Sequence, residues 1–127
     1  MEPDAELDAL ARSVVDAAFQ VHKALGPGYL ESVYEAALCV ELRNRQVPFR
    51  SQVSFGIEYS GERVGEGRLD LLVGERLIVE LKAVESLAPI HQAQVISYLK
   101  ATGHTLALLI NFNVPLLKQG IRRIVLS

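Results

Sequence analysis

An α/β sandwich built on a mixed sheet is the fold class predicted by this chain of 127 residues, and three observations carry it. Two stretches with apolar residues at helical spacing come first, three short runs with strand patterning follow, and a third helical stretch leads into a wholly apolar run. A helix between two strand candidates joins parallel strands, whereas strands linked by short turns run antiparallel. The sheet must therefore contain both.

Leu7, Leu10, Ala11, Val14, Ala18, Val21 and Leu25 recur at helical intervals behind Asp4, a residue suited to cap them, so a first helix runs to the break at Gly26-Pro27-Gly28. A second covers residues 30–46, with Leu30, Val33, Tyr34, Ala37, Leu38, Glu41 and Leu42 on its spacing. Arg43 and Arg45 suit its negative C-terminal end. From Gln52 the rhythm changes. VSFGIEY, a Ser60-Gly61 turn, VGEGRLDLLV, a turn at Gly74 and RLIVELKAV describe a three-stranded antiparallel meander. Gly65 and Gly67 predict a bulge in the middle run or a close approach to its backbone, a substrate being one candidate. Pro89 opens a third helix, PIHQAQVISYLKATG, which ends at Gly103. HTLALLINF reads as a buried strand parallel to the one before that helix. Beyond the loop NVPLLKQG, RRIVLS makes a short strand at an edge.

A composition of 50% hydrophobic and 22% charged residues suits one globular domain spanning residues 1–127. Apolar runs stop at five residues, far below the roughly 18 to 20 of a membrane-spanning helix, and the start MEPDAELDAL is too acidic for a secretory signal. A soluble, cytoplasmic protein with no membrane partner is expected. The lone Cys39, in the helical run EAALCVEL, has no internal disulfide partner and reads as a small buried thiol. With a net charge of -2 there is no global basic field, so a nucleic-acid partner must be held by a local patch.

The informative stretch is GRLDLLVGERLIVELKAVE, residues 67–85, where Asp70, Glu80 and Lys82 interrupt two apolar runs. Charged side chains are seldom buried unless paired or bound to something. Side chains alternate along a strand, so Glu80 and Lys82 share a face with Ile78, Arg68 and Asp70 share one with Leu72, and Leu69, Leu71, Val73, Leu77, Val79 and Leu81 fill the opposite sides. Both faces then look buried. A two-residue hairpin would set Asp70 against Val79; a three-residue loop, Gly74 to Arg76, sets it against Glu80. The bland alternative is a solvated face bearing a cross-strand Asp–Lys or Arg–Glu pair, which would leave Leu72 and Ile78 wet. Two carboxylates with a lysine beside them instead offer hard oxygen ligands for Mg²⁺ or Mn²⁺ and a cation to hold a water or a developing phosphate charge.

Asp70, nine intervening residues, and then Glu80-Leu81-Lys82 resemble the signature of the PD-(D/E)XK nuclease superfamily, with Leu69 where the pattern has its proline. Gly28, Glu31 and Tyr34 in GYLESVYEAAL match the motif of the GxxExxY protein family, a bacterial and archaeal group assigned to that superfamily. The resemblance also takes in VHKALGPGYLESVYEAAL, LDLLV, VELKAVE, IHQAQVISYLKATG and LLINF, nearly the whole chain. It implies a restriction-endonuclease-like α-β-β-β-α-β core, a mixed sheet flanked by helices, and a metal-dependent nuclease acting on DNA or RNA.

The resemblance also implies roles. Asp70, Glu80 and the Leu81 carbonyl, with Glu31 directly or through water, would hold Mg²⁺ or Mn²⁺; Lys82 would orient the attacking water and help deprotonate it; Gln94 would position Lys82 or that water. Gln94 with Tyr98 matches a QxxxY element, and the two share a helix face. Arg68, Tyr98 and Lys100, with Arg63 as a further candidate, would meet nucleic acid. Each has a plainer reading. Glu31 suits a helix start for its dipole alone, and Glu35 one turn on competes with it; Gln94 reads also as a solvated residue and Tyr98 as a core aromatic with a wet hydroxyl; Arg68 reads as a counter-charge to Asp70. His91 reads as a surface or packing residue. The competing functional class is a non-catalytic module that keeps the nuclease fold and binds nucleic acid or protein, or assembles as an oligomer such as a homodimer.

Overall fold

In the computed structural model, which describes residues 3–126, the first helix begins where Asp4 turns its carboxylate onto the amide of Leu7 at 2.9 Å. Helix α1 (Ala5–Leu25) buries Leu7, Ala11, Val14, Ala17, Ala18 and Val21 along one stripe. It ends at Gly26, whose positive φ of 69° needs a residue without a Cβ. Helix α2 (Glu31–Asn44) follows and buries Tyr34, Leu38, Cys39 and Leu42. Leu30 and Val33, expected on its apolar face, are 75% and 38% exposed. The helix starts one residue later than the pattern suggests, which leaves Leu30 as a non-helical cap, and Val33 falls one position off the Tyr34–Leu38–Leu42 stripe.

Five strands, β1 (Phe49–Tyr59), β2 (Glu62–Val73), β3 (Leu77–Lys82), β4 (Leu106–Asn111) and β5 (Ile121–Val125), form one sheet in that spatial order. β1, β2 and β3 make the antiparallel meander, β3 and β4 run parallel with helix α3 (Pro89–Thr102) between them, and β5 closes the far edge antiparallel to β4. The sheet is mixed, as the element order requires. β1 starts at Phe49 rather than near Gln52, because Phe49, Arg50 and Ser51 already pair with Val73, Leu72 and Leu71. Their solvent exposure at the sheet edge hid the strand rhythm. A short 3-10 turn, Leu117–Gly120, lies inside the expected loop. The last expected strand residue, Ser127, lies outside the described residues.

Helices α1 and α2 pack on one face with Leu71, Val73, Leu77, Val79, Leu81, Leu106, Leu108, Ile110 and Phe112. Helix α3 packs on the other with Leu69, Leu72, Ile78, Ala107 and Leu109. Leu69 therefore belongs with Leu72 rather than with Leu71, against simple alternation. The same exchange occurs across the strand pair: Phe49 packs with the α1/α2 layer, whereas Val53 and Phe55 pack with the α3 layer. Between them sits Gln52, at φ 54°, on the rung facing Asp70. A positive φ twists β1 about that rung. Arg68 and Asp70 thus do not share a face in the regular way. The close approach at Gly67 comes from within: the Phe55 ring lies where a Cβ on Gly67 would sit, and the register slips beside Gly65, between Ile57 and Glu58. No described helix is long and apolar enough to cross a membrane.

Candidate active site

The loop joining β2 to β3 holds three residues, since Val73 pairs with Leu77 and Leu72 with Ile78. Gly74 and Glu75 take positive φ, 59° and 60°, and Glu75 closes a two-bond pair with Arg50 at 2.7 and 2.8 Å. This length places Asp70 opposite Glu80. The regular ladder stops at Leu71–Val79, and one rung further the side chains replace it. Leu81 N–H donates to Asp70 Oδ2 at 2.8 Å, and Asp70 N–H donates to Glu80 Oε1 at 2.9 Å. Each carboxylate thus holds the other strand where the backbones part.

Glu80 is 4% exposed on the face that carries Ile78 and α3. Burial first, and then the neighbouring Asp70 carboxylate, push it up to about 8, while Lys82 and the Asp70 amide pull the other way. Two acids held this close cannot comfortably both ionise without a cation. Among the described residues no arginine or lysine forms an ion pair with either acid, so the cross-strand salt-bridge alternative is absent here. Lys82, half-buried, points its Nζ toward Gln94 Oε1 of α3 at 3.5 Å.

Glu31 and Glu35 approach from α2. Burial raises Glu31, Asp70 raises it further, and Lys82 opposes them, which puts Glu31 within electrical reach of both. Burial also raises Glu35, but Gln52 Nε2 donates to both its oxygens at 2.9 Å and Asp70 acts more weakly. Glu31 is the less committed of the two. Among the described residues no three acids, histidines or cysteines stand close enough to hold a metal as a group. Asp70, Glu80 and Glu31 thus do not form a group of three direct ligands; Glu31 flanks the pair, within electrical reach of Asp70. Two carboxylates on parted strands still fit a hard divalent cation, because Mg²⁺ keeps several waters and takes only one or two carboxylates. Glu80, pushed up by burial and by the adjacent Asp70 so that it holds a proton a cation could replace, is what favours such a guest.

The motif residues around Glu31 have structural work. Gly28 takes φ 112°. Tyr34 is fully buried, stacks on Phe112 at 4.7 Å, donates its hydroxyl to the Gly26 carbonyl at 2.5 Å and accepts from Tyr29 N–H at 3.2 Å. It ties the loop before α2 to the core and so sets where Glu31 starts. Tyr98 packs edge-on against Phe55 at 5.0 Å, and its hydroxyl is raised by burial and by the charges of Glu80 and Asp70. Lys100 lines an open groove of about 580 Å³ with Gly56, Ile57, Glu58, Ser97 and Ala101. Arg68 is exposed and makes no ion pair among the described residues. Arg63 is tied to Glu66 at 2.8 Å. His91 Nδ1 accepts from Ala88 N–H at 2.9 Å, a capping role, and burial raises the Cys39 thiol.

Two residues near the site escape sequence reasoning. Gln52 carries no signal, since nothing in its neighbours announces a positive φ. Asn111 does carry one: it is the single amide closing the apolar run LALLI.

A family model described as the PD-(D/E)XK nuclease superfamily matches residues 8–124. No curated protein and no solved structure matches the chain.

Proposed function

The chain belongs to the PD-(D/E)XK nuclease superfamily, and from that premise we propose that it is a metal-dependent nuclease hydrolysing phosphodiester bonds in DNA or RNA, with residues 1–127 acting as one catalytic domain. The observation that carries this reading is the Asp70–Glu80 pair on parted strands with Lys82 next to it. The narrower assignment to the GxxExxY family rests on Gly28, Glu31 and Tyr34.

Asp70, Glu80 and the Leu81 carbonyl would hold Mg²⁺ or Mn²⁺, with Glu31 contributing directly or through water, and the cation would supply Lewis-acid polarisation of the scissile phosphate. Gln94 keeps Lys82 turned into the site, in line with the 3.5 Å separation of their side chains. Lys82 orients the attacking water and helps draw off its proton. The water oxygen joins phosphorus as the bond to the leaving oxygen breaks, and the leaving oxygen picks up a proton from solvent. Glu35 is occupied by Gln52, which leaves Glu31 as the carboxylate free to serve. Arg68, Tyr98 and Lys100 meet the strand on either side.

Purified protein should nick or degrade labelled DNA or RNA when Mg²⁺ or Mn²⁺ is added and not in EDTA, and Lys82→Ala should abolish cleavage while binding Mn²⁺ about as well as the parent. Cleavage unchanged in Lys82→Ala removes this lysine from the chemistry. A second reading is favoured by the net charge of -2 and by two rather than three converging acids: a nuclease-fold module that binds nucleic acid or protein without cutting, as a monomer or homodimer. Mn²⁺ binding without cleavage of any nucleic acid tested would favour it.

A further inference from the structure

Glu80 and Asn111 are the two buried side chains with a carboxyl or amide group among the described residues, 4% and 1% exposed. The nuclease reading uses Glu80 and leaves Asn111 idle. An amide side chain in a strand core costs stability unless it is hydrogen-bonded, and both polar atoms of Asn111 are. Its Oδ1 accepts from Val84 N–H at 3.0 Å and from Asn113 N–H at 3.2 Å, and its Nδ2 donates to the Val84 carbonyl at 2.9 Å. Two N–H donors on one side and a carbonyl on the other leave one orientation of the amide.

The placement of this clamp matters. Asn111 faces Lys82 across the parallel ladder, and Phe112 N–H donates to the Lys82 carbonyl at 3.0 Å. Past Lys82 the regular ladder ends, and the Asn111 side chain continues it by gripping both main-chain groups of Val84. The six residues that follow Lys82 lead straight to Pro89, the first residue of α3, which carries Gln94. Where Val84 is held therefore sets how α3, and Gln94 with it, stands against Lys82. Gly120 packs directly on the Asn111 main-chain carbonyl, where a Cβ would collide.

We propose that Asn111 is a positioning residue for Lys82. By clamping Val84 it fixes the end of β3 and the start of α3 so that Lys82 Nζ faces Gln94 Oε1. The inference rests on the nuclease reading for its catalytic meaning, and its geometric content can be read without any activity.

The decisive variant is Asn111→Asp, which keeps volume and acceptor but sets an oxygen against the Val84 carbonyl; Asn111→Ala accompanies it. On the nucleic acid that the parent cleaves, kcat should fall about 10- to 100-fold while KM and the Mn²⁺ dissociation constant stay within about threefold. In the Asn111→Asp background Gln94→Ala should cost little more, because both changes act through Lys82. By NMR, the side-chain signal of Lys82, one of four lysines, should move and lose its contact to Gln94. In the unaltered protein, the Val84 amide should exchange more slowly than those of Ala83 and Glu85. A lowered melting temperature with kcat intact well below it and an unmoved Lys82 signal would overturn the proposal, as would a fast-exchanging Val84 amide. If the parent cleaves nothing, the nuclease reading falls, while the Lys82 and Val84 signals still decide the role of Asn111.

Discussion

Glu80 is where burial and charge meet most sharply, and its titration has a definite sign. Unfolded, its carboxyl releases a proton near 4.5; folded, it keeps that proton until about 8. Across this window the native state holds a proton that the unfolded chain has lost, so raising the pH removes stability. Metal-free protein should therefore be less stable at pH 8 than at pH 5 by an amount on the order of a few kcal/mol from this group, measurable by urea melts in EDTA. Mn²⁺ should offset the loss by taking the place of the proton. Asp70→Asn removes one cause of the Glu80 shift, and among the described residues no lysine or arginine forms an ion pair with Asp70, so its EDTA stability should equal or exceed the parent's at pH 8. The same variant should lose most of the roughly 1 to 3 kcal/mol that Mn²⁺ gives the parent at ten to a hundred times its Kd. A large drop in EDTA, with no response of the parent to Mn²⁺, would contradict the site.

Among the structural elements, the loop before α2 and the β1–β2 pair carry geometry that the site depends on. Tyr34 satisfies two main-chain groups with one hydroxyl. Tyr34→Phe should keep the stacking on Phe112, leave the Gly26 carbonyl and Tyr29 amide short of a partner, and cost about 1 to 3 kcal/mol in a denaturant melt. Cleavage should fall only to the extent that Glu31 moves. In the hairpin, Gly67→Ala should cost a similar ~1 to 3 kcal/mol because the Phe55 ring must leave its seat. Combined with Phe55→Leu, the loss should be smaller than the sum of the two single changes. Additive losses would show that the ring is not what excludes the methyl group.

On the nuclease reading, the molecule as a whole sets how nucleic acid would be gripped. Net charge is -2, and Arg45, Arg50, Arg63, Arg76 and Arg123 are each tied to a carboxylate. Eight of the thirteen lysines and arginines lie outside these pairs, and of these Arg68, Lys82 and Lys100 belong to the proposed site. Binding to a catalytically dead variant should therefore weaken only gently with salt, with a log–log slope of roughly -1 to -3, and Lys100→Ala should flatten that slope by about 1. A titration series at several salt concentrations measures both. A slope of about -6 or steeper would mean a far wider phosphate footprint than this charge distribution provides.

Local patterning in the chain was enough for the order of helices and strands, the caps at Asp4 and Gly103 and the parallel pairing of β3 with β4, whereas it left two- and three-residue loops open between β2 and β3. Each of these follows from spacing and turn chemistry acting over a few residues. What patterning could not reach was decided by packing between distant segments. Gln52 takes a positive φ in β1, and on the paired strand Leu69 joins the α3 layer while Leu71 joins the other. The Phe55 ring fills the space beside Gly67, and the Tyr34 hydroxyl fixes a loop eight residues upstream. The Gln52 side chain, seventeen residues beyond Glu35, bonds the Glu35 carboxylate and leaves Glu31 without such a tie in the proposed site. Asn111 belongs here too, since its partner Val84 lies 27 residues away. A hydrogen bond between segments so far apart leaves no periodic trace in the chain, because it depends on how the layers close over one another.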